Sequence, residues 1–220
     1  MAIRDRVLAG MSRQLGKPSG PFGRLVGRLL NRGNRAVIQA AVDAANPAAG
    51  DTVADIGFGG GAGLALLLDR VGPTGVVHGV EISQTMLAET RRRYKDEINR
   101  QTLQLHETTM QSLPLQDGSV RAVVSTNTIY FMPELGAPFA EVARVLQPGG
   151  RLALGVGDPA AMAKMPFTKT GFILRPITEI VESLRVAGLA LVEDRRVGDG
   201  AEAFHVLVCE RPREVTRPSR

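Results

Sequence analysis

An apolar run that carries an acid, Val53-Ala54-Asp55-Ile56, breaks at once into five glycines within seven residues: Gly57, Gly59, Gly60, Gly61 and Gly63. Leu64 to Arg70 then reads as a helix. Glycine accepts positive φ and carries no Cβ, so a strand–turn–helix unit built on it brings bare backbone N–H groups close to a ligand. The same unit recurs downstream with other turns. Strand patterns fall at 52–57, 76–82, 102–107, 120–126, 150–156, 190–197 and 203–210, and helical patterns at 61–70, 84–95, 134–146 and 176–187. Strands alternating with helices predict right-handed βαβ units, hence an α/β fold around a mostly parallel sheet. The last two strands are separated only by Gly198-Asp199-Gly200-Ala201-Glu202. That gap is too short for a parallel crossover, so this pair is expected to be antiparallel.

A chain of 220 residues holds one such domain with a small appendage. The expected division is an N-terminal helical cap segment over 1–48, the α/β domain over 49–212 and a basic tail over 213–220. No stretch approaches the roughly 20 apolar residues of a membrane span. Met1 to Gly10 carries Arg4, Asp5 and Arg6 and lacks the apolar centre of a secretion signal, so a cytoplasmic protein is expected. The net charge of +5 is concentrated at the ends: residues 1–35 hold eight Lys/Arg against one acid, and 211–220 four against one. The body is mildly acidic, which argues against a nucleic-acid face. A single cysteine, Cys209, excludes a disulfide framework, and three scattered histidines give no metal-ligand spacing. No metal is expected.

A second acid, Glu81, ends the next apolar run, where a carboxylate can accept from both hydroxyls of a ribose. Asp55 and Glu81 flanking a glycine turn indicate a nucleoside-bearing cofactor. Gly57-x-Gly59-x-x-Ala62 satisfies a relaxed dinucleotide fingerprint, which keeps a nicotinamide-dependent oxidoreductase as an alternative. Asp55, two residues before the first glycine, weighs against it: a carboxylate there repels a pyrophosphate and attracts a cationic amino group. A cofactor-binding partner protein without catalysis is the alternative outside enzymes.

Val53–Gly63, Val80-Glu81-Ile82, Leu113-Pro114-Leu115-x-Asp117-Gly118-Ser119 and the Pro148-Gly149-Gly150 turn occur in one order. At these residues the chain resembles the class I S-adenosylmethionine-dependent methyltransferases, in particular the small-molecule group that includes ubiquinone/menaquinone-biosynthesis enzymes. The resemblance covers roughly 50–210. It implies a Rossmann-like seven-stranded sheet in the order 3-2-1-4-5-7-6, strand 7 antiparallel, with helices on both faces, and S-adenosylmethionine as cofactor. It further implies that Asp55 and the Gly57, Gly59 and Gly61 backbone cradle the methionine part and that Glu81 holds the ribose. Ile82 and Met86 would flank the adenine, with Met110 facing the ring. Thr109 stands where many relatives carry an acid for the adenine amino group, and a hydroxyl there makes a weaker hydrogen bond. Arg121 replaces an acid common before the fourth strand's apolar core, and nothing catalytic is read into that.

Methyl transfer is an in-line displacement in which the protein mainly positions an acceptor in a desolvated pocket. Ser125 to Phe131, after the fourth strand, should line the pocket floor beside the sulfonium, with Asn127 against the cofactor and Tyr130 as the group to orient the acceptor. An aromatic packed under the following helix is an equally good account of Tyr130. The segment lacks the Asn/Asp-Pro-Pro-Tyr signature of base and glutamine methylation, so nucleic acid is an unfavoured partner. His106 reads as a solvated strand-end residue, and His78 and His205 as satisfied core histidines. Met162, Met165, Phe167 and Phe172 in the long connection 157–175, with Leu25, Val26 and Leu29, would roof an apolar acceptor: aromatic, quinone-like or lipid-like. Arg24, Arg28, Arg32 and Arg35 form a basic stripe, which reads as a solvated helix face, a peripheral membrane contact or a grip on an acidic acceptor. Oligomeric state is not encoded in any pattern.

Overall fold

The computed structural model describes residues 10, 15–20, 33–200 and 203–213. The helical patterns around Arg24 to Arg32, with Leu25, Val26, Leu29 and Leu30, and the basic tail past Arg213 lie outside these residues. Among the described residues no helix is long and apolar enough to cross a membrane.

Seven strands, β1 (Thr52–Ile56), β2 (Val76–Glu81), β3 (Leu103–Glu107), β4 (Val120–Thr126), β5 (Leu146–Gly157), β6 (Ala190–Val197) and β7 (Phe204–Glu210), form one sheet in the order β3-β2-β1-β4-β5-β7-β6. The first five are parallel, and β7 runs antiparallel to both β5 and β6. The order and the antiparallel strand are those the sequence predicts. Buried runs such as Val53-Ala54 and Ala122-Val123-Val124 suit strands covered on both faces. One face carries α1 (Arg35–Ala45), α2 (Ala62–Val71) and α3 (Gln84–Arg93), packed through Val37, Val42, Leu64, Leu67 and Leu87. A short α4 (Lys95–Asn99) follows α3. The other face carries α5 (Gly136–Val145) and α7 (Ile177–Val186), packed through Phe139, Val142, Ile180 and Leu184. Between β5 and α7 lies the connection that includes the one-turn α6 (Pro159–Met162).

One boundary differs from the sequence reading. The fifth strand was expected from residue 150, yet ladder pairing begins at Leu146, opposite Val120, and resumes with Arg151 opposite Ala122. The Pro-Gly-Gly turn is therefore a bulge inside the strand. Gly149, at φ 78°, donates to Arg211 O (2.7 Å), and Arg211 N donates to Gly150 O (2.9 Å), so the bulge is stitched to the end of β7. Arg121 donates from Nη1 to Gly149 O at 2.6 Å, which gives that arginine a structural task. Backbone groups freed by the bulge thus find partners, as buried polar groups must.

A second lock joins two of the motifs. Arg144 donates to Leu113 O (3.0 Å) and Leu115 O (2.8 Å) and pairs with Asp117 (2.6 Å) and Glu141 (2.8 Å). Glu141 in turn accepts from Leu113 N at 3.0 Å. The Leu-Pro-Leu-x-Asp loop and the arginine that precedes the bulge are two halves of one contact. Arg211 closes the same corner by donating to the carbonyls of Ala143 and Arg144 at the C-terminus of α5. A cation at those C-terminal carbonyls is favourable.

Candidate functional site

Strand order reverses beside β1: β2 and β3 lie to one side, β4 and β5 to the other. Ligands in such sheets lie beyond the C-terminal strand ends at that reversal. A cavity of about 570 Å³ opens there. Gly57 follows β1, Glu81 ends β2, Thr109 follows β3 and Asn127 follows β4, and all four line the cavity.

The cradle is shaped by two constraints on Gly57. Its φ is +74°, and a Cβ there would lie 2.2 Å from Thr128 Cγ2, so the position rejects a side chain twice over. Its N–H is spent on Val80 O at 2.7 Å. Gly59 (φ 50°) donates to Glu81 Oε2 at 2.9 Å, and Ile82 N and Ser83 N donate to Glu81 Oε1 at 2.8 and 2.9 Å. The glycine loop and the second acid are therefore one hydrogen-bonded unit. Burial pushes the Glu81 carboxyl up, and these three N–H groups with the nearby Lys17 oppose that push. Gly61 (φ 77°) caps α2 and turns the chain through its N–H to Phe58 O (2.8 Å). It shapes the loop from behind the cavity wall.

Asp55 is buried, and its carboxylate sits beneath the first turn of α2, where a Cβ on Gly63 would lie 2.3 Å from Oδ2. Burial, with the Glu81 charge beside it, raises its pKa to about 7. Asp55 does not line the cavity, whose wall at this point is Ile56 to Gly60. Met86 is likewise in the core against Leu87, with its N–H on the Ser83 cap (3.2 Å), and it does not reach the cavity. Ile82, Thr109 and Met110 do line it.

Tyr130 lines the opposite end. Gly157 N donates to its hydroxyl at 2.5 Å, and the hydroxyl donates to Asn127 Oδ1 at 3.2 Å. Burial pushes its pKa to about 12, so it stays protonated at neutral pH. Tyr130 is a clamp between the β4 turn and the end of β5. Its backbone carbonyl also accepts from Ile173 N at 2.9 Å. Around it Phe131, Phe167, Phe172, Met162 and Met165 form the apolar wall expected of the 157–175 connection. Phe131 and Phe172 meet edge to face at 4.8 Å, and Phe167 meets Phe172 at 5.7 Å. The far end of the connection is pinned by Arg175, which donates to Met132 O (2.8 Å) and Pro133 O (2.7 Å). Sequence reading gave Arg175 no role, since a lone arginine beside a proline carries no pattern.

Residues 15–20 cross the cavity mouth. Ser83 Oγ donates to Pro18 O, Gly20 N donates to Thr85 Oγ1 (3.1 Å), and Gly16 lies flat on Phe131. Ile38 of α1 completes that side. The histidines stay out of the cavity. His78 Nδ1 and His106 Nε2 are 3.1 Å apart, and burial with the His106 charge lowers the His78 pKa to about 4. His205 is held by both Asp194 oxygens (2.8 and 2.9 Å). Among the described residues no group of three or more metal-ligating side chains occurs.

Residues 54–154 match the family described as a methyltransferase domain. Among curated relatives, an arsenite methyltransferase of Halobacterium salinarum is 36% identical over 120 residues, 54% of this chain and 30% of that one. An aklanonic acid methyltransferase of a Streptomyces species is 31% identical over 113 residues, 51% of this chain and 50% of that one. The chain spans about a third of the length of the first curated relatives it matches. A methyltransferase from Aquifex aeolicus, described as dependent on S-adenosylmethionine, superimposes with a TM-score of 0.70 at 18% identity, over 92% of this chain and 98% of that one. Residues 54–154 thus match a methyltransferase domain, and the sheet order and overall fold are shared with the Aquifex structure.

Proposed function

We propose that the protein transfers a methyl group from S-adenosylmethionine to a small, apolar metabolite by in-line displacement in a desolvated pocket. The observation that carries this reading is the polarity split of the cavity: a backbone cradle with a buried carboxylate at one end, an aromatic and methionine vault at the other. The cradle fits the cofactor because bare glycine backbone at Gly57, Gly59 and Gly60 lines the cavity beside the Glu81 carboxylate. When bound, S-adenosylmethionine supplies an electrophilic methyl carbon on a sulfonium.

Glu81 keeps carboxylate lone pairs beyond its three N–H partners for the ribose hydroxyls, since an ionised carboxylate offers about four acceptor sites. Ile82 and Met110 would flank the adenine, with the Thr109 hydroxyl near its edge. Asp55 would act through the loop, its charge drawing the cationic methionine end from behind. The vault excludes water, which strengthens the electrostatics at the reacting centre. Relatives named for aklanonic acid and for rifamycin act on small molecules by their names. The arsenite relative suggests a different acceptor, but arsenic(III) favours thiolates, and the single Cys209 is buried with its pKa pushed to about 12.

Calorimetry with S-adenosylmethionine and with a nicotinamide dinucleotide tests the donor. Micromolar binding of the first and none of the second is expected, and the reverse order sinks the reading. Turnover on a panel of phenols, thiols, amines and quinones separates an enzyme from a cofactor-binding partner protein.

A further inference from the structure

The direction of two hydrogen bonds fixes the chemistry at the acceptor end. Gly157 N–H can only donate, so Tyr130 Oη accepts there at 2.5 Å, and its own proton goes to Asn127 at 3.2 Å. Asn127 must therefore present its carbonyl oxygen to Tyr130, and its amide N–H₂ is directed elsewhere. The residue is half-buried on the cavity wall at the end of β4, its backbone held in the left-handed region (φ 58°) and its N–H tied to Gly155 O at 2.9 Å. It shares the cavity wall with Tyr130, to which it is hydrogen-bonded, and with Met162 of the vault. A left-handed residue outside glycine costs strain and persists where its surroundings fix it.

Glu81 and Tyr130 are the only titratable side chains among the described residues that line the cavity. Glu81 is held in the cradle by three N–H groups, and Tyr130 gives its single proton to Asn127. Neither is placed to take a proton from an acceptor in the vault. We propose that the acceptor is an apolar metabolite bearing a phenolic or enolic hydroxyl, that it reacts as the oxyanion, and that Asn127 Nδ2 donates to that oxygen. This deepens the methyl-transfer reading and rests on it. The hydroxyl loses its proton to solvent before reaction. One oxyanion lone pair then forms the O–CH₃ bond while the S–CH₃ bond breaks, its electron pair staying on sulfur as a neutral thioether. Tyr130 is a positioning residue that keeps the amide turned toward the vault.

The test uses the full chain with 4-nitrophenol and a series of para-substituted phenols. With saturating S-adenosylhomocysteine, bound 4-nitrophenol should show the absorbance of its anion at a pH where free 4-nitrophenol is mostly protonated. Asn127→Gly, which keeps the left-handed backbone, should raise the phenol Kd about ten- to a hundred-fold, the effect of losing a hydrogen bond to a charged group. Asn127→Asp should weaken it further by repulsion, and Tyr130→Phe should raise the phenol KM with kcat changed less. The sequence reading set Asn127 against the cofactor, so cofactor Kd is measured alongside and should change less than phenol Kd in all three. In turnover, the rising limb of the pH profile should move with the ionisation of each phenol. A limb at one pH for every phenol would mean an enzyme base and overturn the proposal. So would failure of every phenol to bind the cofactor-loaded protein, or an Asn127→Gly effect confined to cofactor Kd. Failure to bind S-adenosylmethionine at all would instead overturn the methyl-transfer reading beneath it.

Discussion

Replacing Gly57 by alanine adds one methyl group where the structure has two reasons to refuse it. At φ +74° an alanine costs about 1–2 kcal/mol in backbone strain, offset by about 0.4–1 kcal/mol from the stiffer unfolded chain. The new Cβ would also stand 2.2 Å from Thr128 Cγ2, well inside the roughly 3.5–4.0 Å of a carbon contact. Thr128 cannot swing away freely, because its Oγ1 is hydrogen-bonded to Ser125 Oγ at 2.7 Å and Ser125 also holds Ile56 O at 2.8 Å. Overpacking of this kind costs about 1–3 kcal/mol. Gly57→Ala should therefore lose about 2–4 kcal/mol, a fall in Tm of roughly 5–15 °C for a chain of this size, and cofactor affinity with it. Thr128→Ser deletes only Cγ2 and keeps the hydroxyl contact. Combined with Gly57→Ala it should restore the clash portion and leave the strain, a coupling of at least about 1 kcal/mol in a double-mutant cycle read by denaturant unfolding. If the two changes are additive, the clash does not exist and the steric account of the cradle fails.

Other expectations follow from single contacts. Glu81→Gln removes the charge and one of the two acceptor oxygens that serve Gly59, Ile82 and Ser83, so calorimetry should show cofactor affinity falling about ten- to a hundred-fold. Asp55 binds its proton more tightly folded than unfolded, with a folded pKa of about 7 against the ordinary carboxylate value of 3.8. In the cofactor-free protein its contribution is complete below about pH 4 and is lost as pH rises to about 7. Asp55→Asn should flatten that part of the stability-against-pH curve, and an unchanged slope would assign the titration to another group. Arg144→Ala frees the Leu113 and Leu115 carbonyls and should cost about 1–3 kcal/mol in urea unfolding, while Arg144→Lys, which cannot fork, should recover little.

The antiparallel end was legible because a five-residue gap permits one connection only, whereas the sheet order came from the family resemblance that the four motifs carry. The glycine turn and Glu81 were legible for a related reason, since backbone conformation and strand ends leave local marks. Asp55 was read as an acid reaching a cationic group on the ligand; its burial under the first turn of α2 was not legible, because it depends on the bare face of Gly63 eight residues on. Met86 was misplaced because helical spacing does not say which face of α3 meets the core. Arg144, Arg121 and Arg175 were passed over for another reason. Each binds backbone carbonyls 28 to 46 positions away in sequence, and carbonyls have no letter in a sequence.

The cavity divides its two ligands by what the chain can and cannot vary there. At the glycine-loop end the wall is backbone and one carboxylate, held by strand ends whose register is set by the whole sheet. A side-chain change there is expected to matter at Glu81 and wherever it blocks space. At the acceptor end the wall is built from Phe131 and, on a connection held at Tyr130 and Arg175, from Phe167, Phe172, Met162 and Met165. Methionine and edge-to-face phenylalanine adapt to many apolar shapes. Acceptor choice then rests on the one fixed polar group in that wall. A vault that merely accommodates needs a donor that discriminates, and the bond from Tyr130 to Asn127 supplies an amide whose direction the acceptor cannot reverse.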